Sequence, residues 1–184
     1  MKDSDGNPPP KVPDYNRTAQ AALRAYFENG GGYCYLVLTS ELARYVPTLD
    51  GVTLIVAAGK PLSDVQSQVG LMMEAEPSLR IFTIYDGPTE ELDINSDPTS
   101  MLLTASNQAA VYYPWLEAPW AVHPTELEED GTKKKTYVPP SGAIAGVYCT
   151  VGRERGVWKA PANVPLKGDL RPVYKVSDEL MWQL

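Results

Sequence analysis

The chain has 184 residues, 43% of them apolar, which suffices for the core of one principal domain without disulfide or metal staples. Its net charge of −7 excludes the strongly basic face that attracts a phosphate backbone, so nucleic acid is not an expected partner. No run approaches the roughly 20 apolar residues of a membrane-spanning helix, and the first residues lack the apolar stretch of a secretion signal, so no membrane partner is expected.

Residues 1–13 are polar, with prolines at 8, 9, 10 and 13, and read as a flexible or extended lead-in. Asp14 then reads as an N-cap. Tyr15, Ala19, Ala22, Leu23, Tyr26 and Phe27 recur on one helical face, and Gly30-Gly31-Gly32 supplies the stop. "YCYLVLT" (33–39) and "VTLIVAA" (52–58) are short β-branched or aromatic runs, as expected of strands buried on both faces. Ser63 and Gln66 have capping-box spacing ahead of a helix whose buried stripe is Val65, Val69, Met72 and Met73, closed at Glu76-Pro77. A third strand spans 79–87, a short helix falls near 100–106, and a fourth strand spans 108–115. This alternation predicts an α/β fold with a mostly parallel sheet flanked by helices.

From Glu117 to Val138 the pattern changes to a hairpin turning at Asp130-Gly131, in a register that sets Glu128 against Lys133 and Glu126 against Lys135. It reads either as a solvated ribbon with weak ion pairs or as an exposed docking arm. Pro139–Gly152 reads as a helix with Ile144, Val147, Tyr148 and Val151 on one face, and with Gly142 and Gly146 allowing its backbone close to the sheet. In "RGVWKAPAN" (155–163), Gly156 ends that helix, Trp158 buries its ring against the core, and Pro161 turns the chain into an extended exit.

Chemistry-bearing motifs are sparse. The glycine run at 30–32 follows a helix and precedes a strand, the reverse of a phosphate-binding loop, and no Lys-Ser/Thr pair follows it. With one histidine and two distant cysteines, Cys34 and Cys149, no metal site or other cofactor site is expected, and both thiols read as small core hydrophobes. Asp86, His123 and Ser141 occur in the chain order of a subtilisin-type triad, which makes a serine hydrolase the alternative function. Against it, His123 sits at the root of the hairpin, and Pro139-Pro140 removes N–H groups where an oxyanion hole is wanted. The plainer reading makes Ser141 the N-cap of its helix and Asp86 part of a turn with Gly87. A small-molecule site at a sheet switch point is a third possibility, but no loop names a ligand.

"AALRAYFENGGGYCYLV", "PTLDGVTLIVAA", "QAAVYYPWL", "YVPPSGAIAGVY" and "RERGVWKAPAN", in that order from about Thr18 to Gly168, resemble the sheath protein of contractile bacteriophage tails, tailocins and related injection machines. The resemblance implies a structural subunit with a core often labelled subtilisin-like, and no enzyme. Copies of such subunits stack around an inner tube protein, between a baseplate and a tail terminator, and contract to drive the tube through a target envelope. The particle is assembled in the bacterial cytoplasm and works as a virion tail or an extracellular machine. Terminal arms add strands to neighbouring subunits, a heterologous, open-ended contact. Sheath subunits continue past "VWKAPAN" into a C-terminal domain, whereas this chain stops at "SDELMWQL". The expectation is therefore a sheath core over 14–163, with the hairpin over 117–138 inserted in it and 164–184 as the truncated start of that domain. Gly156, Trp158, Lys159, Pro161 and Asn163 would form the joint, and the piece alone would be a monomer or weak oligomer.

Overall fold

The computed structural model describes residues 15–92 and 107–176. The lead-in, the Asp14 cap and the helix expected near 100–106 lie outside the described residues. In chain order the elements are α1 (Tyr15–Glu28), α2 (Leu42–Tyr45) between two 3₁₀ turns, β1 (Leu54–Val56), α3 (Leu62–Ala75), β2 (Phe82–Asp86) and β3 (Ala109–Tyr112). There follow β4 (Leu116–Glu117), β5 (Val122–Leu127), β6 (Lys133–Lys135), α4 (Pro140–Arg155) and β7 (Arg171–Pro172).

Strands β1, β2 and β3 form a parallel sheet in that order, with Ile55 beside Thr83 and Ile84 beside Ala110. Alternation along β2 sends Thr83 and Tyr85 to one face and Phe82, Ile84 and Asp86 to the other. On the first face α2 and α3 close a cluster of Leu42, Val46, Ile55, Val65, Met72 and Tyr85. The α3 stripe is the one expected from its spacing. Its capping box does not form: Pro61 occupies the N-cap, and Ser63 bonds the neighbouring Asp64 carboxylate instead. On the second face lies α4, with Tyr148 stacked on Phe82 and its hydroxyl 3.2 Å from that of Tyr112.

Helix α4 is buried on nearly every side through its first two turns because α1 covers the face turned away from the sheet. The glycines of α4 serve this helix pair. A Cβ at Gly142 would run into the carbonyl of Ala22, and one at Gly146 into the carbonyl of Tyr26. The expectation that they approach the sheet is thus corrected. The buried stripe of α1 is accordingly Thr18, Ala21, Ala22, Ala25 and the neighbouring Asn29, while Phe27 is exposed. Small side chains win this face because the α4 backbone leaves no room for large ones.

The run 33–39 is not a strand. Tyr33 lies in a bend, residues 34–38 form no regular element and pair with no strand among the described residues, and Tyr33 and Leu36 are 85% and 76% exposed. Beyond α4 the chain returns to the core. Leu166 and Leu170 pack beside Ala21, Ala25 and Val138, and β7 pairs antiparallel with β4. Asn29 holds this return from both sides, donating to the Lys167 carbonyl and accepting from the Lys167 N–H. Trp120 donates to the Gly168 carbonyl while its ring lies 4.1 Å from the Arg24 guanidinium.

Candidate functional site

Two of the three triad candidates meet. Asp86 ends β2 and Ser141 opens α4, and the Asp86 carboxylate accepts the Ser141 N–H at 2.8 Å and the Ser141 hydroxyl at 2.7 Å. A third donor, the Gly59 N–H, reaches it at 2.8 Å, and the Ala58 N–H donates to Ser141 Oγ at 3.1 Å. Ala58 and Gly59 both have positive φ, 51° and 81°, and their successive N–H groups reach Ser141 Oγ and the Asp86 carboxylate, respectively. Burial pushes the Asp86 carboxyl up to about 6, against the donors from Ser141 and Gly59 that pull it down.

Ser141 is not the N-cap, a position Pro139 holds, and Asp86 is not a surface turn residue. Asp86 caps α4 from a distance, satisfying a free N–H where the helix dipole favours negative charge. Nothing in local sequence spacing signals a partner 55 residues away.

His123 stands apart from this pair. Its Nδ1 accepts the N–H groups of Thr125 and Glu126, and its Nε2 lies 3.2 Å from Glu126 Oε1, closing a local turn at Pro124. Ser141 has no exposed surface, and its hydroxyl donates to a carboxylate and not to an imidazole. With the serine buried against a carboxylate and the imidazole bonded within its own turn, the triad order does not become a triad.

Strands β5 and β6 pair antiparallel, in a register different from that expected. Glu128 and Thr132 close a three-residue loop in which Gly131 takes φ 79° and Asp130 accepts from Thr132, so Leu127, not Glu128, faces Lys133. The turn at His123–Glu126 then shifts the register again, and Val122 faces Lys135. Lys134 pairs with Glu126 at 2.6 Å, and Lys135 with Glu117 at 2.8 Å. Residues 124–133 are exposed.

The stretch after α4 also departs from expectation. Gly156 ends the helix at φ 88°, but Val157 and Trp158 are 91% and 86% exposed, so the indole does not bury against the core. The ring lies over Gly156 itself, where a Cβ would collide with it. Lys159 donates its N–H to the Gly156 carbonyl, and Asn163 takes φ 58°, turning the chain back after Pro161.

A cavity of about 350 Å³ separates Tyr33–Val37 from β1, with Tyr26, Leu42 and Cys149 also in its walls. Tyr26 Oη lies 3.6 Å from Cys149 Sγ, and burial, with the thiol beside it, pushes the phenol up to about 12. Among the described residues no group of His, Cys, Asp and Glu side chains could hold a metal ion, and no helix is long and apolar enough to cross a membrane.

No protein-family model and no curated protein matches the chain. Solved structures do. The chain is similar to the PVC sheath complex of an extracellular contractile injection system in its contracted state, with 46% identity and a TM-score of 0.75 over 90% of this chain. It is similar to chains of the anti-feeding prophage baseplate in its contracted state, with 31% identity and a TM-score of 0.70 over 95% of this chain. Against the anti-feeding prophage helical sheath, also contracted, identity is 34% and the TM-score 0.59 over 97% of this chain. The chain spans 42%, 45% and 46% of the length of these three relatives, respectively.

Proposed function

Because this chain belongs to the contractile-sheath family, we propose that it is the core of a sheath subunit that polymerises around an inner tube and contracts to drive the tube through a target cell envelope. The observation that carries this reading is the 46% identity to the PVC sheath over 90% of the chain. The role is structural and not enzymatic, in keeping with a buried Ser141 whose partner is a carboxylate. On this reading the α/β core is the subtilisin-like one of the family, stripped of a working triad. It moves as a rigid body between the extended and contracted packings, while contacts between subunits rearrange. Neighbouring sheath subunits, the tube protein, the baseplate and the tail terminator are the partners. Assembly takes place in the bacterial cytoplasm, and the finished particle is a phage tail or an extracellular machine.

Within the subunit, the core runs over 14–163, and Gly156, Trp158, Lys159, Pro161 and Asn163 form the joint to the part that follows. The hairpin, with Glu126, Glu128, Lys133 and Lys135, is a docking element between subunits. An exposed Trp158 fits a joint or a contact better than it fits a core.

Electron microscopy of the complete reading-frame product, expressed with its tube protein, tests the proposal. Striated cylinders are expected, and a product that stays monomeric and never coats a tube would overturn it. The 184-residue chain alone is expected to scatter light as a monomer or weak oligomer.

A further inference from the structure

We propose that Cys34 and Cys149 are a redox pair whose disulfide staples the segment after α1 to helix α4. They are the two cysteines of the chain, so an internal bond has one possible pairing. Their sequence context suggested two core hydrophobes, but both thiols are free and only half-buried, within reach of a small reagent. Both stand in the wall of the cavity of about 350 Å³.

The Tyr26 phenol is their common neighbour. Its Oη lies 3.6 Å from Cys149 Sγ and accepts the Gly32 N–H at 3.1 Å, two residues before Cys34. Burial raises the acidity constant of this phenol first, Cys149 adds to the rise, the Gly32 N–H opposes it, and Cys34 adds to it again. The hydroxyl thus senses both sulfurs, one by contact and one through space.

A disulfide needs its Cα atoms about 4.4–6.8 Å apart. Two residues of chain reach at most about 7 Å, so Cys34 is tethered close to the phenol that Cys149 touches. Helix α4 fixes Cys149, while residues 34–38 pair with no strand among the described residues. The segment can therefore close the remaining gap without breaking a ladder.

The oxidant is a small disulfide, for which oxidised glutathione serves. The Cys34 thiolate attacks one of its sulfurs, a mixed disulfide forms, and one glutathione leaves as the thiol. The Cys149 thiolate then attacks the Cys34 sulfur, the protein disulfide forms, and the second glutathione leaves. Two protein thiols lose two electrons and two protons, and one small disulfide gains them. The pair stays open in a reducing cytosol and closes in an oxidising medium. Only the timing rests on the proposed sheath role, in which a particle assembled in the cytoplasm works outside the cell.

Intact mass of the chain, equilibrated with mixtures of oxidised and reduced glutathione and quenched with an alkylating agent, reads the proposal. The oxidised chain is expected to lose two hydrogens and take up no alkyl group, and digestion without reductant should yield one peptide pair joining Cys34 to Cys149. The equilibrium constant for this bond should be at least about tenfold larger in the folded chain than in urea, where the two thiols meet by chance. Cys34→Ser and Cys149→Ser should each stop at one bound glutathione. Thiols that stay free, thiols capped separately, or disulfide-linked dimers would overturn the proposal. So would a bond that forms no more readily in the folded chain than in urea. The parent chain alone gives these results, whether or not a serine variant folds. The sheath reading is untouched by any of them, because it rests on the comparison with solved structures.

Discussion

Asp86 and Ser141 join the end of β2 to the start of α4 by two hydrogen bonds into one carboxylate, and the Gly59 N–H ties the β1–α3 loop to the same group. Three pieces of backbone thus meet on a charge taken out of water, which has a consequence for pH. Burial raises the Asp86 carboxyl from its ordinary 3.8 to about 6, so the folded protein holds this proton more tightly than the unfolded chain. The contribution is fully present below about pH 4 and is lost as pH rises through about 6, by roughly 3 kcal/mol in total. Asp86→Asn cannot titrate. The difference in unfolding free energy between parent and variant, from urea melts at pH 4 to 7.5, should therefore move against the parent as pH rises and level off above pH 7. A flat difference would mean that Asp86 keeps an ordinary acidity.

Replacing Asp86 with Ala strands the Ser141 and Gly59 N–H groups and uncaps α4. At about 1–3 kcal/mol for each buried unsatisfied donor, the loss should be several kcal/mol near neutral pH. Ser141→Ala takes one donor from the carboxylate and leaves the Ala58 N–H without its acceptor, and should cost about 1–3 kcal/mol. Neither variant should change labelling by a fluorophosphonate probe, because the parent should not be labelled. Parent labelling that vanishes in Ser141→Ala would restore the hydrolase alternative.

The α1–α4 contact predicts opposite signs for two formally identical substitutions. Gly142→Ala pushes a methyl into the Ala22 carbonyl, a backbone atom that cannot swing aside, and should destabilise by about 1–3 kcal/mol. Gly70→Ala on α3 meets nothing within 4 Å and should stabilise by up to about 1 kcal/mol through helix propensity. Chemical denaturation of the pair distinguishes close helix packing from a general preference for alanine.

What could be read from the sequence divides along the range of the interactions. The β1, β2 and β3 strands and the α3 stripe follow from local periodicity, and periodicity places them. The expected α1 face, with Ala19, Ala22, Leu23, Tyr26 and Phe27, shares Ala22 with the buried one, but the glycines of α4 centre that stripe on Ala21, Ala22 and Ala25, and only a known partner reveals that. The Asp130-Gly131 turn was legible. Its three-residue form and the second irregularity at His123–Glu126 were not, and each moves the ladder, so the ion pairs fell on Lys134–Glu126 and Lys135–Glu117. The Asp86–Ser141 clamp carried a signal, the triad order, that pointed to a triad the structure does not assemble. The Tyr33–Thr39 run has a strand's composition without a strand's partner.

The hairpin prediction separates stability from assembly. Glu126 is exposed and Lys134 half-exposed, so neutralising their pair with Glu126→Gln and Lys134→Gln should leave the melting temperature of the chain unchanged. If the hairpin docks against a neighbouring subunit, the same changes in the complete protein should reduce the yield of cylinders seen by electron microscopy. Normal yields from this double variant would leave the hairpin a solvated ribbon.

Trp158 supplies the sharpest contrast between sequence and structure. A buried indole truncated to alanine costs about 3–5 kcal/mol, the loss expected if the ring closed the core. With the side chain 86% exposed over Gly156, Trp158→Ala should instead change the stability of this chain by less than about 0.5 kcal/mol. A tryptophan this exposed beside Val157 makes an apolar surface, and the proposed joint gives it a role: contact with the part of a subunit that follows the core. In the complete protein, then, Trp158→Ala should weaken sheath assembly or the stability of the whole subunit while leaving the 184-residue chain as it was. Urea melts of both forms, with and without the substitution, measure this. Equal and small effects in the two would leave the ring without a partner. A loss of several kcal/mol in the short chain would place it in the core after all.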